Sequence, residues 1–399
     1  MIFMHTYPEQ CYMINKSVNK IEFIQALRGI AALCVVLYHG SYWTGKLAET
    51  TKEIFFAAGY FGVSLFFVIS GFIMVITTKK SDGSLSYVKT FMIKRFMRIW
   101  PAYLIATIVS FLLLAGPSWF ANLDNLIYLA RSMLFIPSGN APAPTFGTPV
   151  LSVGWTLTYE MIFYIFFAIS MLAGKLRWLA FYSCTALFLI GIPTYISGNF
   201  STSPTFDYGF RSILLGLVTS PIIWMFVSGA VIGQIYTSRI IIKNETFCWM
   251  MVLFSTALTI AQYVSGSKIG HGIFEWGISI VPLMLCLTLA SKTIHIKIPR
   301  PLVYLGDISF SLYLMHVLMQ GVTLHFLVYV GLNGFGKGIS SLIMTTLMSI
   351  IAASLFHKYI ESFFSSRFPK WIFGKIKMEV KAADSSAASP VVKPTHPEF

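Results

Sequence analysis

Charge is scarce in this chain. Asp, Glu, Lys and Arg make up only 11% of its 399 residues, less than half the ~25% of a soluble globular domain. That shortage excludes a water-soluble fold, and the disordered and fibrous classes with it. Cysteine is sparse as well: Cys11, Cys34, Cys184, Cys248 and Cys286 stand far apart with no CxxC spacing. Neither a disulfide framework nor a zinc site is expected, and no other metal site is read. An internal repeat is missing too, which argues against the inverted halves of many transporters. No cleavable signal is expected, because the first 20 residues are polar and the first apolar stretch is too long for a signal h-region.

What is abundant is apolar. Hydrophobic residues reach 56% and aromatic ones 16%, led by 35 Phe, with a mean hydropathy of +0.73. The solvent of such a chain is lipid. A membrane-crossing helix needs about 20 largely apolar residues, and runs of that kind lie at 22–42, 57–78, 99–116, 153–173, 178–196, 212–236, 246–264, 273–291, 302–330 and 339–357. The expected fold is therefore all-α, a polytopic bundle of about ten transmembrane helices. Between 117 and 152 an outer loop holds an amphipathic helix around Asn122–Leu134, then a stretch with Pro137, Pro142, Pro144 and Pro149 that cannot be helical throughout. Residues 1–20 read as a cytoplasmic tail, 21–360 as the membrane domain, and 361–399 as a basic and then Ala/Ser/Pro-rich disordered tail.

The net charge of +14 first suggests nucleic acid, but its placement decides otherwise. The cations form short clusters between apolar runs, and no nucleic-acid module is recognisable. With both termini placed in the cytoplasm, the clusters around Lys79–Arg98, Lys175–Arg177, Arg239–Lys243, Lys292–Arg300 and the C-terminal tail all fall inside. The outer side keeps only Lys46, Lys52, Arg131, Arg211, Lys268 and Lys337, a strong positive-inside bias.

The informative residues are the polar groups inside these runs, since charge within a bilayer costs several kcal/mol. In IEFIQALRGIAALCVVLYHG, Arg28 and His39 are eleven residues apart, close to three helical turns, so one stripe carries a cation low and an imidazole high, roughly 16 Å apart. Snorkelling explains either residue alone, whereas a shared face points to function. In FMIKRFMRIWP, Arg95 and Arg98 share a face and suit a polyanion, although such a cluster is also an ordinary topology signal and anionic-lipid contact. GWTLTYEMIFY carries Glu160 with Thr156 one turn shallower and Tyr164 one turn deeper. LGDISFSLYLMHV carries Asp307, Ser309, Ser311, Tyr313 and His316, where the serines read as interhelical glue. Gly62, Ser64, Ser70 and Gly71 of the second run read as packing positions.

A phosphate-bearing donor docked on Arg28, Arg95 and Arg98 would reach toward His39. That histidine, held by a carboxylate such as Glu160, would take the proton of an acceptor hydroxyl. No clear oxyanion donor is readable; Tyr164, Tyr313 or a backbone amide are the options.

The same segments resemble a family. LRGIAALCVVLYH, GVSLFFVISGFIM, the RFMR pair, WTLTYEMIFY and LGDISFSLYLMH, in that order from about 21 to 360, are similar to the acyltransferase 3 family of bacterial integral-membrane O-acyltransferases, and most to members that acetylate exopolysaccharide. The resemblance implies a short acyl group, such as acetyl, taken from cytoplasmic acyl-CoA as co-substrate with no bound cofactor. It further implies a hydroxyl on a cell-surface or lipid-linked glycan as acceptor, and a place in the bacterial inner membrane among its lipids. Catalytic His39 and Glu160 and donor-binding Arg28, Arg95 and Arg98 are the residues carried over, with Tyr164, Tyr313 and His316 as site support. Phe310 and Val317 depart from the Tyr and Pro frequent in relatives, and no hydrolase-like domain is expected after the last span. The rival reading is a transporter or flippase for a polar or lipid-linked glycan, to which intramembrane Arg, His and Glu would also be suited.

Overall fold

The structure, a computed structural model, describes residues 21–42, 49–114, 119, 122–138, 141–332 and 338–368, with backbone alone at 49–58 and 114. The N-terminal tail 1–20, Cys11 and the tail beyond 368 lie outside the described residues. Among these residues the chain is built from helices, with no strand. They are α1 (Glu22–Ser41), α2 (Glu49–Thr77), α3 (Leu85–Leu114), α4 (Leu123–Met133), α5 (Gly154–Met171), α6 (Arg177–Ala186) and α7 (Ile192–Ser197). There follow α8 (Ile213–Val218), α9 (Ile223–Thr237), α10 (Glu245–Ser265), α11 (Gly277–Ala290), α12 (Arg300–Asp307), α13 (Ser309–Tyr329) and α14 (Gly338–Phe356).

Nine helical stretches among the described residues are long and apolar enough to cross a bilayer. They coincide with nine of the ten expected runs. The tenth, expected at 273–291, is an apolar helix of only 14 residues, α11, because the chain before it, 266–276, is a non-helical turn buried at 270–272 and 276. The chain is thus an all-α polytopic membrane bundle. Its lipid-facing side is apolar: Leu253 and Phe254 of α10, Leu179 of α6 and Ile351 and Leu355 of α14 are all exposed. In water that surface would be costly; in acyl chains it is at home. The amphipathic segment of the outer loop is α4, capped by Asn122, whose side chain accepts the Asp124 N–H at 2.8 Å.

Several runs read as single spans are interrupted. The run at 302–330 breaks at Ile308, where α12 gives way to α13 and the Ser309 hydroxyl donates to the Gly306 carbonyl at 2.8 Å. The run at 212–236 breaks into α8 and α9, and that at 178–196 passes through a π-helical turn, Leu187–Gly191. The last helix continues beyond α14 through π-helical turns to Phe368.

The centre of the bundle is α1, wrapped by α2, α12, α13 and α14, with α2 in turn packed on α9. Ala31, Ala32, Val35 and Val36 of α1 are fully buried. Close approach depends on glycine. A Cβ on Gly71 of α2 would strike the Phe226 carbonyl of α9, and one on Gly229 of α9 would strike the Val68 carbonyl of α2. In lipid, where apolar burial drives no association, such backbone proximity is a principal source of helix attraction.

Gly229→Val should therefore overpack this seam at a cost of ~1–3 kcal/mol, seen as a lower thermal midpoint of the detergent-solubilised protein. Gly191→Ala, whose added methyl meets its nearest neighbour at 3.4 Å, should leave that midpoint unchanged.

Candidate active site

Two cavities occupy the middle of the bundle. The inner one is small, about 60 Å³, and is lined by Arg28 of α1, Phe66 of α2, Arg98 of α3, Glu160 and Thr156 of α5 and Tyr313 of α13, among others. Among the described residues, no carboxylate lies within 4 Å of Arg28, Arg95 or Arg98. Arg28 does interact electrostatically at longer range with Glu361, Glu160 and Asp307, and with the like charge of Arg98. Its guanidinium donates a long hydrogen bond, 3.5 Å, to the Gln25 amide oxygen. Two cations and one carboxylate thus share the wall, with no ion pair closed between them among the described residues.

Glu160 is held from two helices. Its Oε1 accepts the Ser70 hydroxyl of α2 at 3.1 Å and the hydroxyl of Tyr164, one turn deeper on α5. The Tyr164 ring in turn lies under the Arg95 guanidinium, 5.6 Å from its centroid, with Phe91 at 5.3 Å. Arg95 is buried, donates to the Thr77 hydroxyl at 2.7 Å, and does not line the cavity. The two arginines expected to converge thus separate: Arg98 faces the cavity and Arg95 stacks behind Tyr164.

The outer cavity is larger, about 590 Å³. Its wall includes His39 of α1, Tyr60 of α2 and Trp155 of α5, and three loops close over it with Pro142–Thr148, Pro204–Thr205 and Ile269–Glu275. Thr148, Thr205 and Ile269 are exposed at its mouth. These are the loops that the cation distribution assigns to the outer side. Tyr313 and Val63 line both cavities, so they form the wall between them. The Tyr313 hydroxyl is 2.7 Å from the Thr156 hydroxyl and donates to the Val153 carbonyl at 3.1 Å. Arg28 and His39 therefore each face a cavity, but the two cavities are divided rather than continuous.

His39 pairs with His316 and not with Glu160. His39 Nδ1 lies 3.1 Å from the Val35 carbonyl and 3.1 Å from His316 Nε2, and His316 Nδ1 lies 3.1 Å from the Leu312 carbonyl. Carbonyl oxygens only accept, so in the neutral pair His316 carries its proton on Nδ1 and its Nε2 has a free lone pair. His39 then carries its proton on Nδ1, shared between Val35 and His316. We assign both tautomers from this network. The outcome is a lone pair on His39 Nε2, the atom a general base needs. Of the serines read as glue or packing, Ser311 donates to Glu361 at 2.6 Å, Ser70 holds Glu160, and Ser64 lies 3.3 Å from His271 Nδ1.

Three residues at the cavities escaped sequence reasoning: His271 and Glu275 in the turn before α11, and Trp155 at the start of α5. Their one local signal is a His and a Glu in the short stretch GHGIFEWG. It has no periodicity to place it, and its meaning depends on two other loops.

Fold and cavities together define a helical membrane protein with a divided polar interior. The chain matches the acyltransferase domain model over residues 21–357 and belongs to the acyltransferase 3 family. It is similar to the exopolysaccharide production protein ExoZ of Rhizobium meliloti (strain 1021), at 29% identity over 328 residues, covering 79% of this chain and 92% of that one. It is also similar to nodulation protein 10 of Rhizobium leguminosarum bv. viciae, at 25% identity over 331 residues, or 77% of this chain and 84% of the relative. The peptidoglycan O-acetyltransferase OatA of Listeria monocytogenes is 25% identical over 173 residues, 40% of this chain and 25% of that protein. No solved structure matches. Family membership makes acyl transfer the class of reaction.

Separating the two arginines yields a stability difference. Arg95→Ala removes a charged hydrogen bond and two ring contacts, and should lower stability by ~2 kcal/mol, read as a lower thermal midpoint. Arg98→Ala should leave the midpoint within error.

Proposed function

We propose that this protein is a bacterial inner-membrane O-acyltransferase that moves acetyl, or another short acyl group, from cytoplasmic acyl-CoA to a hydroxyl of a cell-surface or lipid-linked polysaccharide. The observation that carries the reading is the shared wall at Tyr313. An arginine-bearing pocket on the side assigned to the cytoplasm and a histidine-bearing chamber on the opposite side meet at Tyr313 and Val63. The names of the relatives, which cite exopolysaccharide production and peptidoglycan O-acetylation, support the choice of acceptor.

The inner cavity is far too small for a nucleotide. CoA phosphates would rest at the inner face, with Arg28 and Arg98 as the nearest inward cations and Arg95 fixing the helix behind them. The pantetheine arm would thread past Glu160 and displace the Tyr313 side chain to bring the thioester beside His39. There His39 Nε2 removes the proton of the acceptor hydroxyl as its oxygen attacks the thioester carbonyl. The C–O bond forms, the tetrahedral oxyanion collapses, and the C–S bond breaks. The imidazolium returns its proton to the departing thiolate, which leaves as free CoA. His316 Nε2 accepts from His39 Nδ1–H throughout, which orients the ring and spreads the charge it acquires, the part usually played by a carboxylate. Glu160 acts on the donor side, tempering the field of Arg28 and Arg98 and not touching the base. Tyr164 donates to Glu160, whereas the Tyr313 hydroxyl, freed from the Val153 carbonyl when its side chain is displaced, would be the donor for the oxyanion.

Radiolabelled acetyl-CoA and purified protein in lipid discs, with glycan acceptor, should place label on the glycan; glycan movement across a vesicle membrane without label would support a carrier instead. His39→Ala should lower the transfer rate by ~10²–10⁴ while the protein still inserts and accumulates, and full transfer by that variant would remove the base role. His316→Gln should lower kcat by ~10-fold or more with the acceptor KM unchanged, as expected of a positioning residue.

A further inference from the structure

The transfer just described makes no use of His271 and Glu275, although both line the outer cavity. His271 is 8% exposed, with its Nδ1 3.3 Å from the Ser64 hydroxyl and its ring 4.8 Å from Tyr60 and 5.3 Å from Trp155. Its Nε2 has no partner among the described residues. As a neutral imidazole it offers a hydrogen bond without a charge.

Glu275 is folded back over its own turn. Its Oε2 accepts the Gly272 N–H at 2.8 Å, and among the described residues its Oε1 has only a long contact, 3.5 Å, with the Ser203 hydroxyl. A side chain on Gly270 would collide with this carboxylate, so glycine at that position is what lets the turn wrap it. Oε1 keeps accepting capacity toward the cavity. Among the described residues, no Lys or Arg lines this chamber, and Glu275 is its one carboxylate.

We propose that the outer cavity is a subsite for an uncharged pyranose unit, with the sugar face against Trp155 and Tyr60, hydroxyls on Glu275 and His271, and Glu275 excluding acidic sugars. The inference rests on the acyl-transfer reading for its acceptor, but the chemistry of the wall is its own. Aromatic rings supply flat apolar contact, a carboxylate accepts from adjacent hydroxyls, and the volume is that of a small-molecule site. A uronate would enter with no cation to meet it and a fixed anion facing it. Like-charge juxtaposition in a desolvated site is costly, and selectivity commonly depends on such a repulsive element.

The test uses methyl β-glucopyranoside and methyl β-glucuronopyranoside, which differ at one carbon, as probes of the full-length protein in lipid discs. Binding is measured by calorimetry, and transfer from labelled acetyl-CoA in parallel. The glucoside should bind at least ~10-fold more tightly than the glucuronide, a difference of ~1.4 kcal/mol. Glu275→Gln should narrow that ratio to within ~3-fold by improving the glucuronide. His271→Phe should weaken glucoside binding while acetyl-CoA binding, which reports an intact fold, persists. Should Glu275→Gln lose acetyl-CoA binding as well, the same ratio is read from a salt series on the wild type, where screening should narrow it. Equal binding of the two sugars by the wild type, or a ratio unmoved by both Glu275→Gln and salt, overturns the subsite. Transfer to both sugars alike overturns the subsite and leaves the acyltransferase intact. Charge-selective binding without any transfer sustains the subsite and removes the acyltransferase.

Discussion

Three guanidinium groups inside an apolar bundle, none with a carboxylate within ion-pair distance among the described residues, set the terms for the rest of this structure. An ion transferred from water to a medium of low dielectric loses several kcal/mol of solvation even after relaxation, and a membrane interior offers little water in return. The fold answers in two ways. Arg95 is held locally, by a hydrogen bond to Thr77 and by the faces of Phe91 and Tyr164, although its Nε is buried without a hydrogen-bond partner among the described residues. Arg28 and Arg98 are left facing a cavity, with Glu160, Glu361 and Asp307 acting on Arg28 from a distance. Acidic groups set back from a pair of cations leave a net positive field where an anion would sit, while lowering the cost of keeping that place empty.

The two halves of the interior are joined by a tyrosine and not by open space, which gives α13 an unusual importance. Its Tyr313 bonds to α5, its His316 to α1 and its Ser311 to the last helix. The break at Ile308 frees this helix from the line of α12. Because α12 presses its backbone at Gly306 against Gln25 of α1, the chain needs that change of course to carry Tyr313 and His316 to their positions.

Much of this was legible before any coordinates. Composition and run length were enough for a helical membrane bundle, because the demand that every backbone polar group be satisfied in lipid leaves few alternatives. The stripe of Thr156, Glu160 and Tyr164 was also readable, since helical spacing alone puts them on one face. What could not be read was pairing between helices distant in sequence. Glu160 was the nearest acid by type for His39, yet the partner is His316, 277 positions away, and periodicity carries no information about which helices touch. The divergence of Arg95 from Arg98 was hidden for a similar reason: it depends on the Tyr164 ring from another helix. Run length likewise overstated α11, because apolar residues such as Ile273 and Trp276 belong to the turn before it, where Trp276 is fully buried without being helical.

That short helix has a consequence for water. Fourteen residues of α-helix rise about 21 Å, against a hydrocarbon thickness of about 30 Å, so chain that is not helical lies at the depth where α11 falls short. Irregular backbone survives at such depth only when it is enclosed by protein or borders an aqueous pocket. The turn ahead of α11 meets both conditions: Gly270, His271, Gly272 and Trp276 are buried, and Ile269, His271 and Glu275 border the outer chamber. A chamber open to the outer side admits water, and under the proposed transfer an activated acyl group admitted early would be lost to hydrolysis. Under the proposed transfer, Tyr313 would be a moisture barrier as much as a partition, keeping the energy-rich bond dry until its recipient had displaced the water.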